Sequence, residues 1–417
     1  MAEAVERVLL YEEALAEVLR AAETVPAPAA ETLPLLDAAG RVLAAPIVAE
    51  RDQPPFARST RDGFAVRSGG LVEAVAEGLR VVGTVRAGEA WTGPALRRGE
   101  ALEIMTGAPM PEGADAVLMV EHAAVRDGGV LHPEAGRSLR PGENVVPRGA
   151  EARAGAELVP AGRVLGAAEV ALAASCGYAE VTVHARPQVA ILATGDELVE
   201  LREELGEAQI RNSNSYALAA LVGGENGEPL RLPIARDTSD DLRQRIAAGR
   251  GADLLLLSGG VSMGKYDLVE DALREAGAEF VFTGTKIQPG RPLVFGRLPV
   301  AGGEGWTYFF GLPGNPISTE VCFRLFVTPL LRALAGRTER APRFAEARLA
   351  EGIHGGAKVT RFLPAEIAGD WKGVTVRQVP WQGSGDLAAN GRANGFVVLP
   401  LGVEEFRAGE TVRVLLR

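Results

Sequence analysis

Three glycine-rich loops with carboxylates around them carry the chemistry legible in this sequence. Gly195-Asp196-Glu197 follows the apolar run ending in Thr194. Gly259-Gly260-Val261-Ser262-Met263-Gly264 follows Leu254–Ser258, and Pro313-Gly314-Asn315-Pro316 follows Tyr308–Leu312 and opens a helical pattern. Glycines beside a helix N-terminus leave backbone N–H groups free for a phosphate or another oxyanion. A single such loop reads equally well as a tight packing turn; three on one sheet edge favour a site. Thr194, Gly195, Asp196, Ser258, Gly259, Gly260, Ser262, Pro313, Gly314, Asn315 and Pro316 are therefore candidate phosphate- and substrate-binding residues. Asp196, Glu197, Asp237 and Asp267 are hard oxygen ligands of the kind Mg²⁺ uses beside phosphates. The alternative for Asp237 and Asp267 is a plain helix N-cap. Pro289-Gly290-Arg291-Pro292 is a rigid turn presenting one guanidinium, suited to a tetrahedral oxyanion or simply solvated. The sequence holds no Walker A loop, no G-x-S-x-G elbow, no H-E-x-x-H and no G-x-G-x-x-G.

The elements that must position these residues read as follows. From Val181 to about Gly336, strand-like runs alternate with helical ones, which argues βαβ units and a mostly parallel sheet. DLLLLS is continuously apolar, as a strand covered on both faces should be. Thr238 or Ser239 suits an N-cap, with Asp240 and Asp241 in the first turn. Upstream, Val5 to Ala22 shows helical periodicity ended by Thr24-Val25-Pro26. Residues 57–70 read as a loop, 79–148 as short strands separated by Gly/Pro turns, and 166–176 as a helix capped by Gly177. After Gly336 the pattern returns to short strands. In an open parallel sheet the ligand sits beyond the carboxyl ends of the strands, where the three loops fall.

Composition bounds the rest. Hydrophobic residues make up 47% and charged residues 24% of the 417, an ordinary globular balance that excludes disorder as the main state. The net charge of -10 offers nothing to nucleic acid or to anionic lipid, so an anionic ligand must be held by a local pocket. Two cysteines, Cys176 and Cys322, make neither a disulfide framework nor a cysteine zinc site. A reducing, cytoplasmic setting is the default. The acidic N-terminus is not a signal peptide, and no apolar run reaches the ~18 residues of a membrane span.

In order, STRDGFA (59–65), MTGAPMPEGADAVLMVE (105–121), GENVVPRGAE (142–151), ATGDEL (193–198), IRNSNSY (210–216), LSGGVSMGKYD (257–267), PGRP (289–292) and GLPGNPIS (311–318) resemble one family, the molybdopterin molybdenumtransferases of the MoeA and gephyrin E-domain type. The resemblance runs over essentially the whole chain. It implies a multi-domain α/β plus β protein in four parts. These are a composite linker and dimerisation domain from 1–50 and 141–180, an inserted small β domain at 51–140, a doubly wound, mostly parallel α/β molybdopterin-binding domain at 181–336, and a C-terminal β barrel at 337–417. It also implies an elongated homodimer.

The activity the resemblance implies is insertion of molybdate into adenylylated molybdopterin, with Mg²⁺ as cofactor and release of AMP, in molybdenum cofactor biosynthesis. A molybdopterin adenylyltransferase is the implied partner delivering substrate. By the same resemblance Asp62 and Thr106 join Glu197, Asp237 and Asp267 as catalytic residues, reaching the crevice from the other subunit, and Arg291, Pro292 and Ser384 line the molybdate pocket. The chain departs from the family pattern at Gln288, where many members have Lys, and at Pro364, where many have Arg. It departs again at Val146 and Glu151, for the usual Arg and Asp. The first two changes remove positive charge from the oxyanion pocket, leaving Arg291 and, as a substitute, Arg361, and they open tungstate as an alternative oxyanion. A non-catalytic cofactor-binding scaffold is a second reading, against which the crevice carboxylates argue. A pyrophosphatase or adenylyltransferase sharing only the α/β domain is a third, against which the matches at Asp62, Thr106 and GADAV argue.

Overall fold

The computed structural model describes residues 7–126, 128–260, 268–300, 302, 305–355 and 358–417. Its contacts divide the chain into two compact units. One comprises residues 1–44, 162–165 and 181–417, the other 45–161 and 166–180.

The first unit is built on a six-stranded sheet in the order Glu228–Arg231, Gln188–Ala193, Leu254–Ser258, Trp306–Leu312, Val294–Pro299, Glu279–Phe282. The first three pairings are parallel and the last two antiparallel, so the sheet is mostly parallel, as the alternation predicts. Alternate residues of the central strands go to opposite faces. Val189, Ile191, Leu254 and Leu256 pack with the helices Tyr11–Glu23, Ser213–Gly224 and Pro316–Cys322. Ala190, Leu192, Leu255 and Leu257 pack with Ser239–Gly249 and Leu268–Glu275 on the other side. Every residue of Leu254–Ser258 is buried, which is why that stretch reads as an unbroken apolar run.

Two local expectations fail here. Val8 and Leu9, read as the start of the first helix, form a short strand parallel to Gly284–Thr285, where the bare Cα of Gly284 leaves room for the Val8 side chain. The helix begins at Tyr11, because the Glu13 carboxylate accepts the Leu10 N–H at 2.9 Å and starts the turn there. The long helical run after Pro316 is interrupted by a π turn at Phe323–Val327 before it resumes at Thr328–Leu334. Pro329 explains this: its ring would press on the carbonyl four residues back in a regular α-helix, and the wider turn makes room.

The C-terminal part of the same unit is a closed five-stranded barrel. Thr360–Asp370 pairs with Gly373–Gln378, which pairs with Phe344–Leu349, then Thr411–Leu416, then Gly395–Leu399, which returns to Thr360–Asp370. Ala347, Leu363, Ala365, Val376, Val397 and Val414 fill it. A two-residue strand, Ile287–Gln288, adds to the barrel in parallel with Thr360–Arg361. This pairing carries the chain from the α/β sheet to the barrel wall immediately before the Pro289–Pro292 turn.

The second unit holds a six-stranded sheet in the order Ala116–Met119, Gly63–Val66, Glu100–Ile104, Leu79–Val85, Val130–Pro133, Ala123–Arg126. Gly63–Val66 lies within the stretch that reads as a loop, yet it is an interior strand with all four residues buried. Its flanking arginines and glycines hide it from a composition reading. Gly63 is required by proximity, since a Cβ there would overlap the Leu118 carbonyl oxygen of the neighbouring strand. The expected helix at 166–176 spans Ala167–Ser175, with Gly177 at φ +81° closing it.

Candidate active site

The strand ends that open the three glycine loops meet at one edge of the first unit's sheet. Thr194 donates its N–H to the Ser258 carbonyl at 3.0 Å, and Gly259 donates to the Leu312 carbonyl at 3.2 Å, so the three strand ends are laced together. Gly259 and Gly260 turn at φ +92° and +67°, a region that strains side-chain-bearing residues, and a Cβ at Gly260 would come within 2.7 Å of the Thr194 hydroxyl. That hydroxyl is buried and has no hydrogen-bond partner among the described residues. A buried hydroxyl without a partner at a strand end is the kind of group a bound ligand or water satisfies.

One cavity of about 730 Å³ collects Thr194, Gly195, Glu197, Asp237, Gly259, Gly260, the whole Pro289–Pro292 turn, Pro313, Gly314, Asn315 and Ser384. A second, of about 420 Å³, adjoins it across Thr194, Glu197, Gly259, Gly314 and Asn315 and includes Ser258 and Pro316. Asp196 lines neither; its carboxylate accepts the Asp237 N–H at 3.3 Å and so fixes the backbone that carries Asp237. Thr238, and not Asp237, caps the helix Ser239–Gly249, accepting the Asp241 N–H at 3.4 Å. Asp237 is thereby left facing the cavity. Ser262 and Asp267 lie outside the described residues.

The Pro289–Pro292 turn is anchored from beneath. The Gly290 carbonyl accepts from the Thr285 hydroxyl at 3.0 Å and from the Cys322 thiol at 3.7 Å, and the Arg291 carbonyl accepts the Thr285 N–H at 3.0 Å. Burial pushes the Cys322 thiol well above its usual range, so it acts as a neutral donor and not as a nucleophile. Arg291 itself is exposed, and Gln288 beside it lines the same cavity. Among the described lining residues, Arg291 is the sole cation against Glu197 and Asp237. Arg361, paired in register with Gln288, directs its guanidinium to the His354 carbonyl at 3.3 Å and is not among the residues that line the cavity. Pro364 is buried in the barrel wall opposite Phe396.

The barrel supplies the remaining wall through Trp381, Gly383 and Ser384. Asn315 donates to the Ser384 hydroxyl at 2.9 Å, and Ile317 N–H donates to the Ser384 carbonyl at 3.0 Å. Asp386 holds the segment by accepting the Gln382 and Ala389 N–H groups, and these bonds keep its carboxyl below the usual value.

Sequence reading missed Asn214. Its amide donates to the Ser258 hydroxyl at 2.9 Å, the Gly314 carbonyl at 2.7 Å and the Thr319 hydroxyl at 3.3 Å, tying two of the loops to the first turn of the helix Ser213–Gly224. The signal was within reach, since Asn212 and Asn214 both stand in the quoted IRNSNSY run and only one of them can be the N-cap. In the second unit, Asp62 and Thr106 are brought together: the Asp62 carboxylate accepts from the Thr106 N–H at 2.6 Å and from its hydroxyl at 2.8 Å. Those two bonds hold the Asp62 carboxyl below its ordinary value. Glu151 pairs with Arg58 at 2.9 Å, and Val146 lies in the strand pairing opposite the same Arg58.

Family models match three stretches of the chain: "MoeA N-terminal region (domain I and II)" over residues 9–177, "Probable molybdopterin binding domain" over 190–333, and "MoeA C-terminal region (domain IV)" over 346–416. A molybdopterin molybdenumtransferase of Nostoc sp. is 35% identical over 400 residues, covering 92% of this chain and 88% of the relative. The Staphylococcus aureus (strain MRSA252) protein of the same name is 33% identical over 412 residues, covering 97% and 94%. A crystal structure of the molybdopterin biosynthesis MoeA protein from Pyrococcus horikoshii superimposes with a TM-score of 0.74 at 33% identity, over 98% of this chain and 99% of that one. A second structure from the same organism gives 0.80 at 28% identity, over 99% and 100%. With three consecutive models over most of its length and relatives of this identity, the chain belongs to the MoeA family of molybdopterin molybdenumtransferases, the enzymes of molybdenum cofactor biosynthesis.

Proposed function

We propose that the crevice takes adenylylated molybdopterin and molybdate, cleaves the pyrophosphate link with Mg²⁺, releases AMP and leaves molybdenum on the dithiolene. One observation carries this reading: a single cavity brings glycine loops suited to phosphate, the orphaned Thr194 hydroxyl, two carboxylates and a turn with one guanidinium onto one sheet edge. Anhydride cleavage asks for fixed charge and donors around the bridging and leaving oxygens more than for a covalent nucleophile. The Gly259–Gly260 and Pro313–Pro316 loops cradle phosphate and pterin, and Arg291, Pro292 and Ser384 hold the oxyanion.

Mg²⁺ fits the donors present. Glu197 and Asp237 line one cavity. The Glu197 carboxylate lies over Gly195, where a Cβ would come within 2.7 Å of its Cδ. Two carboxylates, with substrate phosphates and waters completing the shell, is the way Mg²⁺ is ordinarily held. When bound, Mg²⁺ neutralises charge on the phosphate oxygens. Glu197 and Asp237 would hold it, and Asp196 would steady Asp237 through its N–H.

The protein would act as a cytoplasmic homodimer supplied by a molybdopterin adenylyltransferase, with Asp62 and Thr106 of the partner subunit completing the site. AMP release from adenylylated molybdopterin, followed with and without molybdate, tests the reading. Molybdate-dependent release is expected from the wild type, and its absence with substrate demonstrably bound would leave a cofactor-binding protein. Arg291→Ala should weaken the molybdate dependence roughly 10- to 100-fold, the equivalent of one charge-assisted contact of ~1.5–3 kcal/mol, with binding of adenylylated molybdopterin nearly unchanged. Superimposable molybdate titrations would remove Arg291 from the site.

A further inference from the structure

Away from the crevice, the first unit holds a third cavity of about 550 Å³ that shares none of the crevice's lining residues. Part of its lining is apolar: Ala217, Ala220 and Leu221 of one helix, with Phe323 and Leu415. The same lining carries four arginines, Arg324, Arg332, Arg343 and Arg417, and two glutamates, Glu225 and Glu320. Each glutamate is shared. Arg332 grips Glu225 with two bonds of 2.8 and 2.9 Å while Arg337 takes the same carboxylate at 2.8 Å. Arg324 and Arg417 converge on Glu320 at 2.8 and 3.0 Å.

One carboxylate per two guanidiniums leaves each group with one positive charge in excess. Arg340 donates only to backbone carbonyls, and Arg343 faces Glu339. The whole cluster therefore sets Arg324, Arg332, Arg337, Arg340, Arg343 and Arg417 against Glu225, Glu320 and Glu339. The four arginines that line the cavity face two lining glutamates, a surplus of two positive charges in a chain whose net charge is -10. Arg332 and Arg337 are buried, where unbalanced charge is costly. Burial, with Arg332 adding to it, pulls the Arg337 guanidinium below its usual value in spite of Glu225. Burial and the neighbouring Arg324 do the same to Arg417 in spite of Glu320.

We infer that this cavity is a binding site for a small organic phosphate monoester. Such a group brings nearly two negative charges on one centre, with oxygens directed to several donors, which matches the surplus. Arginine forks are the side chains best suited to it. The apolar part of the lining takes the organic part, and the volume lies in the range of small-molecule pockets. The two helices that line the cavity, Ser213–Gly224 and the long run from Pro316 to Leu334, carry crevice loops at their N-terminal ends.

The test is amide hydrogen exchange of the full chain, titrated with inorganic phosphate and with phenyl phosphate at constant ionic strength. Saturable protection of residues 217–225 and 323–332 is expected, with phenyl phosphate binding the tighter. Arg324→Gln leaves Glu320 paired with Arg417, and Arg343→Gln removes an exposed side chain, so both variants should fold. Each should weaken the protection tenfold or more, and Arg291→Ala in the crevice should leave it unchanged. Four results would each overturn the proposal: no protection at saturating phosphate, protection indifferent to both arginine variants, protection that vanishes in Arg291→Ala, or equal protection by succinate.

Discussion

At the scale of single residues, the crevice separates groups that hold the backbone from groups that face the ligand. Asp196 and Glu197 are adjacent and chemically alike, yet one accepts a backbone N–H while the other opens onto the cavity. Glu197→Gln keeps the shape and deletes the charge. It should lower AMP release by the ~10²–10³ typical of a lost electrostatic stabiliser, with little change in thermal stability. Near-normal turnover at saturating Mg²⁺ would make Glu197 structural. In the second unit, Thr106→Val removes one of the two bonds that depress the Asp62 carboxyl and leaves the backbone N–H in place. The Asp62 titration followed by carbon NMR should move up, partway to its ordinary value. The sign for stability follows from the depressed value. The interaction contributes at neutral pH, where Asp62 is ionised folded or unfolded, and is lost as pH falls through the folded-state value. Thr106→Val should therefore lower stability at neutral and alkaline pH, flatten the acid limb around that value, and leave stability below it unchanged.

At the scale of elements, local signals found what local physics decides. The strand Leu254–Ser258 was legible because both its faces are covered, and Ser239–Gly249 because Thr238 and the acidic first turn mark its start. Gly63–Val66 was not, because its place inside a sheet is set by strands distant in sequence on either side, and its own residues are small or flanked by charge. Gly63→Ala tests that account. The added methyl has the Leu118 carbonyl in its way, so the variant should lose about 1–3 kcal/mol, the usual cost of overpacking, read from urea unfolding. An unchanged midpoint would mean that the two strands part freely there. The candidate site was legible in the same uneven way. The glycine loops and their carboxylates announce themselves by type and position. Trp381 carries no local signature, and Asn214 only that of a second asparagine beside an N-cap, since what makes each matter is the distant segment it meets.

At the scale of the whole molecule, the prediction concerns assembly. Asp62 and Thr106 belong to one compact unit and the crevice to the other. If partner subunits complete each other's sites, Asp62→Asn and Glu197→Gln are defects on different chains' contributions. Mixing the two inactive variants should then restore part of the AMP release, up to about a quarter of wild type, because random pairing makes half the dimers hybrid and each hybrid holds one intact site. Absence of recovery, with subunit exchange verified by mass-tagged chains, would place every catalytic group within one subunit.

The two-residue strand Ile287–Gln288 has a consequence for how such a protein could be assembled from parts. It belongs to the barrel's edge by hydrogen bonding with Thr360–Arg361, yet it leads directly into the turn that bears Arg291. Ser384, from the barrel, holds the helix-opening loop at Asn315 from the other side. The wall of the crevice around Arg291 is thus a joint product of the α/β sheet and the barrel, whose Phe362, Phe396, Val398 and Leu415 pack into the same core as the central strands. An α/β domain of this type transplanted without its barrel would keep the three glycine loops and lose the support for Arg291. A gene that borrowed only that domain would inherit the loops and have to find a new support for the guanidinium turn.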